Sequence, residues 1–428
     1  MAVTYLKRAT HTARTDHGDV AAVVSDMLTV LEAEGDEATR RYAQQFDQWD
    51  GEIIVAPDHI AAAAGQLSEQ DRADIGFAHD NIRRFAEAQL ATVGDTQIDV
   101  VPGLTAGQRQ IPVGSVGAYV PGGRYAHIAS ALMTITTARV AGARHIMACS
   151  PPTAGQGIPP AILYAMDLAG ADTILNLGGV QGLAAMAFGQ FGGVPADILV
   201  GPGNAYVAEA KRQLFGRVGI DMIAGPTDSM VLADDSCDAE VAATDLVSQA
   251  EHGPNSPVWL VTTDKALAEA VLDRVPELIE DLPAVNRDAG RAAWRDYGEV
   301  ILCDTREEVA AKADEVGPEH LQVMARDLDW WLGRLRSYGS LFLGEETTVA
   351  MGDKASGPNH VLPTSGSARY TGGLSVHKFL KTVTWQRATA EGMRPVAEAT
   401  ARLSRLEGME AHARSADIRL ERLKVLQG

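Results

Sequence analysis

The chain has 428 residues, 22% of them charged, and a formal net charge of -19 from 37 Lys+Arg against 56 Asp+Glu. At about 100–200 residues per domain it holds two to four domains, enough to bury a core without disulfides or structural metal. That acidity argues against a phosphate-backbone binder or a ligand of anionic membranes, and leaves room only for a local basic pocket.

The first residues, MAVTYLKRATHTARTDHGD, carry no apolar signal core, and no run reaches the roughly 18 apolar residues of a spanning helix. Residues 19–48 and 58–93 read as amphipathic helices, with Ala, Leu, Val and Ile at three- and four-residue steps. From about residue 100 short apolar runs end in Gly- or Pro-rich turns: VGSVGAYV, ARHIMACS, ADTILNLGG and ADILVGPG. Helical segments such as SALMTITTARVAGA lie between them, which predicts βαβ units and a parallel sheet. The alternation resumes at SMVLADD and runs through PVWLVTTD, GEVILCDT and GSLFLG. Residues 344–374 form a long Gly-, Thr- and Ser-rich loop, a common place for function. Residues 376–428 read as a charged helical arm. Cys149, Cys237 and Cys303 are few, distant and odd in number, so free thiols and a cytoplasmic location are expected.

Three segments combine chemically useful side chains. Gln249 and His252 stand three apart near a helix C-terminus, whose partial negative charge favours a cation; a plain polar helix end is the alternative. Gly317-Pro318-Glu319-His320 reads as a helix start. The positive dipole end would keep His320 neutral, with Glu319 as a second base; a stabilising first-turn acid is the alternative. Asp353 to His360 offers a carboxylate, an ammonium, an amide and an imidazole within one loop, or else a solvated loop. The turns Leu177-Gly178-Gly179 and Val200-Gly201-Pro202-Gly203 follow strands and suit ligand binding, though neither matches the dinucleotide fingerprint. Cys149 ends a strand-like run, but no neighbouring cation is evident to activate it.

Taken together, GAYVPGG, GGVQGLAAMAFG, VGPGNAYVAEAKRQLFG, GIDMIAGPTDSMVLADD, DLVSQAEHG, GPEHL, GDKASGPNHVLPT and GGLSV resemble the histidinol dehydrogenase family over nearly the whole chain. The resemblance implies an α/β fold of two incomplete Rossmann-like domains with mostly parallel sheets and helical N- and C-terminal extensions, in a domain-swapped dimer. The expected organisation is an extension over 1–20, a larger discontinuous domain over 21–118 and 230–375, an inserted NAD domain over 119–229, and an arm over 376–428 that reaches the partner's active site. The resemblance also implies a zinc- and NAD-dependent enzyme oxidising a primary alcohol through an aldehyde to a carboxylate. It assigns Gln249, His252, Asp353 and His412 to the metal, Glu319 and His320 to proton transfer, Tyr119, Gln181 and Asn204 to NAD, and Thr227, His360 and Glu407 to substrate. Glu407 and His412 are five apart, which on an unbroken helix separates them by about 140°.

Departures from the family pattern add positive charge. The chain has Arg124 and His127 after GAYVPGG, Lys354 after Asp353, His377 after Gly-Leu-Ser-Val, and Thr227-Asp228 where Ser-Glu is usual. A basic pocket disfavours a cationic amine and favours an anion, with Arg suited to a sulfonate or phosphate. The closer resemblance is to a branch of the family that oxidises 2,3-dihydroxypropane-1-sulfonate to sulfolactate, through GRYAHIAS, DYGEVILCDTREE, DLDWWL, GSLFLGEETTVA and SVHKFLKTVTWQR. The expected reaction is two hydride transfers to NAD from one terminal carbon, with zinc holding the substrate oxygen. Arg124, His127, Lys354 and His377 are the candidates to hold the sulfonate. The alternatives are a histidinol dehydrogenase with unusual pocket residues, a non-catalytic metabolite-binding protein and, more distantly, a nucleic-acid-binding module.

Overall fold

The structure is a computed structural model that describes residues 3–11, 18–122, 126–223 and 225–427. The chain divides into two units, Met1–Leu90 with Val113–Phe379 and Ala91–Pro112 with Leu380–Gly428. In chain order the strands begin with β1 (Thr4–Lys7), β2 (Thr96–Val101), β3 (Leu104–Pro112), β4 (Ser115–Tyr119), β5 (His145–Ser150), β6 (Thr173–Asn176) and β7 (Ile198–Val200). They continue with β8 (Gly219–Ile220), β9 (Ser229–Ala233), β10 (Val258–Thr262), β11 (Glu299–Leu302), β12 (His320–Met324), β13 (Ser340–Leu343) and β14 (Leu380–Ala388).

The larger unit holds two sheets. One is fully parallel in the order β6-β5-β4-β7-β8. The other runs β1-β11-β10-β9-β12-β13 and is parallel except for β1, which pairs antiparallel with β11. Numbered within each sheet, the parallel strands lie 3-2-1-4-5, the doubly wound order without its sixth strand. The mostly parallel α/β expectation therefore holds. The cause is legible in β4, β9 and β12, which are buried at every position, as strands covered by helices on both faces must be. The helices Ile128–Val140 and Gly179–Phe188 are buried on nearly every side and read as continuous apolar segments for the same reason.

Two local expectations are corrected. Gly317 adopts φ +62 and ends the helix Arg306–Val316, after which His320 opens β12 rather than a helix. A glycine followed by proline is as natural a helix stop as a helix start, and here the buried run HLQVM decides for strand. The arm over 376–428 is not wholly helical. β14 pairs antiparallel with β3 from Leu380↔Pro112 to Ala388↔Leu104, and β3 pairs with β2. Thr382, Val383, Thr384 and Trp385 supply the β-branched and aromatic side chains such a strand favours. Residues 96–112, grouped with the larger domain from sequence, thus form a sheet with the C-terminal segment. In that smaller unit the helices Ala390–Leu406 and Glu410–Gln427 pack through Ala397, Ala401 and Ala416. Gly408, at φ +78, separates them, so Glu407 and His412 do not share one continuous helix. Among the described residues, no helix is long and apolar enough to cross a membrane.

Candidate active site

A pocket of about 520 Å³ lies in the larger unit. Pro121 and Pro202, just past the carboxyl ends of β4 and β7, line one side. These strands flank the point where the strand order reverses, the usual ligand crevice of such sheets. The second sheet contributes its amino ends instead: Thr227 before β9, Ser256 before β10, and Glu319 and His320 at the start of β12. Parallel pairing of β12 with β9 sets His320 opposite Ser229 and so brings Asp228 beside Glu319.

Glu319 and His320 are both buried in the pocket wall. Nδ1 of His320 is 3.7 Å from Glu319 Oε2, and Nε2 is 3.4 Å from Asp353 Oδ1. Neither ring nitrogen has a well-aligned hydrogen-bond partner. Burial pushes the Glu319 carboxyl well above the usual carboxylate range, and Asp228 and Asp353 add to the rise against the opposing pull of His320. Burial opposes charge on His320 too, but Glu319, Asp353 and Asp228 outweigh it and raise its pKa. The expectation of a dipole-neutralised imidazole is thereby reversed, because the ring begins a strand among carboxylates. Burial likewise opposes charge on Asp353, yet His320, His360 and His252 hold it down to about 2.

Burial disfavours the charged form of the neighbouring imidazoles His360, His252 and His127. His360 Nδ1 lies 2.8 Å from the Asp353 carbonyl and can only donate to it, so Nε2 accepts from Ser130 Oγ at 2.9 Å. Burial lowers the pKa of His360 and of His252. Burial, followed by His360, Lys354 and His252, lowers His127 to about 4. His127 therefore lines the pocket without adding positive charge. His377 lies exposed on the turn Val376–Phe379, near Ser375, and is not part of the lining. Arg124 lies outside the described residues. Of the four basic candidates, Lys354 is the described pocket residue that carries a cation. Thr227 and His360 also line the pocket, whereas Glu407 belongs to the smaller unit.

The zinc expectation is corrected. Zinc takes four N, O or S ligands converging at about 2.0–2.3 Å. Among the described residues, no group of three or more His, Cys, Asp or Glu side chains converges to hold a metal ion. Gln249 is buried in the helix Ala239–Ala250, its amide nitrogen 3.4 Å from Ser248 Oγ. His252 falls past that helix end, with Nε2 3.9 Å from Asp353 Oδ2, while Asp353 Oδ1 faces His320. His412 lies in the smaller unit. The residue types match a metal site but the arrangement does not.

The three residues assigned to NAD differ in setting. Tyr119 ends β4, is buried, and its hydroxyl accepts from Gly179 N at 3.2 Å. Gln181, in the first turn of the helix Gly179–Phe188, donates to Asp47 Oδ2 at 2.9 Å, which also accepts from Gly178 N at 3.0 Å. Asn204 lines the pocket and caps the helix Ala205–Leu214, accepting from Tyr206 N and Val207 N. The turn before it depends on Gly201, where φ is +117 and a Cβ would meet Tyr119 O at 2.0 Å. Buried Lys211 pairs with Asp221 and donates to Gly201 O, and Asp221 Oδ2 accepts from Gly201 N at 2.7 Å, locking the turn from behind. Asp47, Lys211 and Asp221 are supporting residues that sequence reasoning missed, and Asp228 stands out in the sequence only as a departure from the family pattern, without a role. Their partners are remote in sequence or are backbone groups, so no local pattern signals them. Cys149 is fully buried with its pKa raised by that burial, so it remains a thiol inside the core.

Fold and site define an α/β dehydrogenase of known lineage: the histidinol dehydrogenase family matches residues 10–420, and the chain belongs to it. It is 64% identical to a sulfopropanediol 3-dehydrogenase of Ruegeria pomeroyi over 420 residues, covering 98% of this chain and 97% of that one. A histidinol dehydrogenase of Cereibacter sphaeroides is 42% identical over 414 residues, covering 96% and 94%. The crystal structure of histidinol dehydrogenase from Elizabethkingia anophelis superposes with a TM-score of 0.90 at 33% identity, covering 98% of this chain and 95% of that one.

Proposed function

We propose that this protein carries out NAD-linked oxidation of a small anionic diol, or of its aldehyde, of the 2,3-dihydroxypropane-1-sulfonate type. The observation that carries the reading is His320, a buried imidazole in the pocket wall whose two ring nitrogens lie 3.4–3.7 Å from the Asp353 and Glu319 carboxylates without a well-aligned hydrogen bond. Buried polar atoms are normally satisfied, and a substrate hydroxyl would satisfy this one. Bound NAD would supply the hydride acceptor; Asn204 lines the pocket where it would bind, while buried Tyr119 and Gln181 support the neighbouring turn at Gly178-Gly179. The unprotonated His320 ring takes the hydroxyl proton as hydride leaves the same carbon, with Glu319 sharing that proton. In oxidation of the aldehyde, the Glu319–His320 pair removes a proton from the attacking water. The 64% identity to a sulfopropanediol 3-dehydrogenase supports the sulfonate as the anion. Comparing NADH formation from the sulfonate diol and from 1,2-propanediol tests the reading; equal kcat/KM for the two would refute the anionic substrate.

Lys354 sits on the rim, exposed, where it meets an anionic end group. Lys354→Met should raise KM for the sulfonate about three- to fivefold, the scale of a solvent-exposed ion pair, with kcat held. An unchanged KM removes Lys354 from recognition.

The three cysteines are free, which fits a reducing compartment such as the cytoplasm. The smaller unit exposes Leu403, Leu406, Met409 and Ile418, with Leu406 85% exposed. Apolar exposure of this kind marks an interface, and a symmetric dimer that offers Glu407 to its partner's pocket accounts for it. Light scattering should then give twice the 45.4 kDa chain mass; a monomer at micromolar concentration refutes the dimer.

A further inference from the structure

We propose that Asp228 is a positioning residue for Glu319, fixing both its backbone and its carboxylate. The inference rests on the reading of Glu319 as a proton-transfer group. Asp228 is buried, one residue before β9 and beside the start of β12. Its Oδ1 accepts from Glu319 N at 2.7 Å, and its own backbone N–H donates back to Glu319 Oε2 at 3.2 Å. Its carbonyl accepts from His320 N at 3.2 Å. Its other oxygen, Oδ2, accepts from Ser365 N at 2.8 Å.

Asp228 therefore ties three segments together: the entry to β9, the entry to β12, and the long loop. Ser365 has φ +55, a conformation side-chain-bearing residues seldom adopt, and an anchored amide holds it there. Its neighbour Thr364 lines the pocket and accepts from Gly225 N, another lining residue. The choice of Asp follows from the donor count. Two backbone N–H groups converge on one side chain, and an ionised carboxylate offers two acceptor oxygens and no donor. An amide in its place turns an NH₂ toward one of those N–H groups. The backbone N–H of Asp228, held in place by those two side-chain bonds, also ties Glu319 Oε2, which lies 3.7 Å from His320 Nδ1. A reacting group displaced by about 1 Å can lose about 10²-fold in rate.

The test uses Asp228→Asn in the full-length enzyme with NAD and the sulfonate diol. KM for NAD and for the diol should stay within about twofold while kcat falls about 10- to 100-fold. NADH formation is also followed in a single turnover with enzyme in excess. Its rate constant, extrapolated to saturating enzyme, should fall by the same factor. That constant does not depend on how much of the variant is folded, so a merely structural defect leaves it unchanged. Asp228→Glu keeps two acceptor oxygens and should recover part of the rate. An Asp228→Asn enzyme with the wild-type single-turnover constant overturns the proposal. If Asp228→Asn does not fold, Asp228→Glu is read alone: a constant between about one-tenth and one-half of wild type supports the proposal, and any other value overturns it. Glu319→Gln run alongside separates the two claims. A normal rate for it refutes the reading of Glu319, whereas a slow Glu319→Gln beside a normal Asp228→Asn refutes only the role of Asp228.

Discussion

Glu319→Gln should lower kcat about 10²- to 10⁴-fold, the usual contribution of a positioned proton-transfer group, with KM for NAD within about twofold of wild type. The substitution is close to isosteric, and the amide oxygen can still accept from Asp228 N. The same variant should be more stable than wild type at alkaline pH. The folded-state pKa of Glu319 is raised by burial above its unfolded value, so the native state binds this proton more tightly than the unfolded chain does. Stability linked to that proton is present below the unfolded pKa and is lost as pH rises through the folded one. A neutral amide removes the loss. Thermal melts at pH 6 and pH 9 should therefore show the variant's lead over wild type larger at the higher pH. Loss of activity with loss of stability at both pH values would mean that Glu319 serves packing alone.

The second large effect is in the pH profile. The base form needs the Glu319–His320 pair to have lost a proton, and both groups titrate above their ordinary values. Below the range of the pair, kcat/KM should fall about tenfold per pH unit, so that activity climbs from pH 6 through neutrality toward an alkaline plateau. The two apparent values belong to the pair, since each charge shifts the other. Asp353, held down to about 2, stays ionised throughout and does not shape the profile. A flat profile between pH 6 and pH 9, or a single step near the ordinary carboxylate range, would contradict this assignment. Either result would place the working base outside the buried pair.

Much of the architecture is legible in the chain because buried parallel strands announce themselves as unbroken apolar runs. β4, β5 and β9 are such runs, each ending in a turn rich in Gly, Pro or Asp. The partner of β14 is not legible, since β3 lies far upstream and pairing is a tertiary choice. The start of β12 is ambiguous for a local reason: Gly317-Pro318 fits both the end of one helix and the start of another. At the site, Glu319-His320 and Asp353 to His360 are legible as two separate reactive segments, brought together only by the family resemblance, and all four of Glu319, His320, Asp353 and His360 line the pocket. Their protonation could not be read from type. His127 looks basic in the sequence, but burial keeps it neutral. The zinc expectation failed on the same ground, because convergence of ligands is a property of three-dimensional arrangement rather than of spacing.

A comparison of two substrates of opposite charge tests the oxidation of an anionic diol at the Glu319–His320 pair most directly. NADH formation is measured with purified protein, NAD and either 2,3-dihydroxypropane-1-sulfonate or histidinol. kcat/KM for the sulfonate should exceed that for histidinol by about 10²-fold or more, the discrimination available when one substrate's charge is matched and the other's is opposed. Equal values, or a preference for the cationic histidinol, would contradict it.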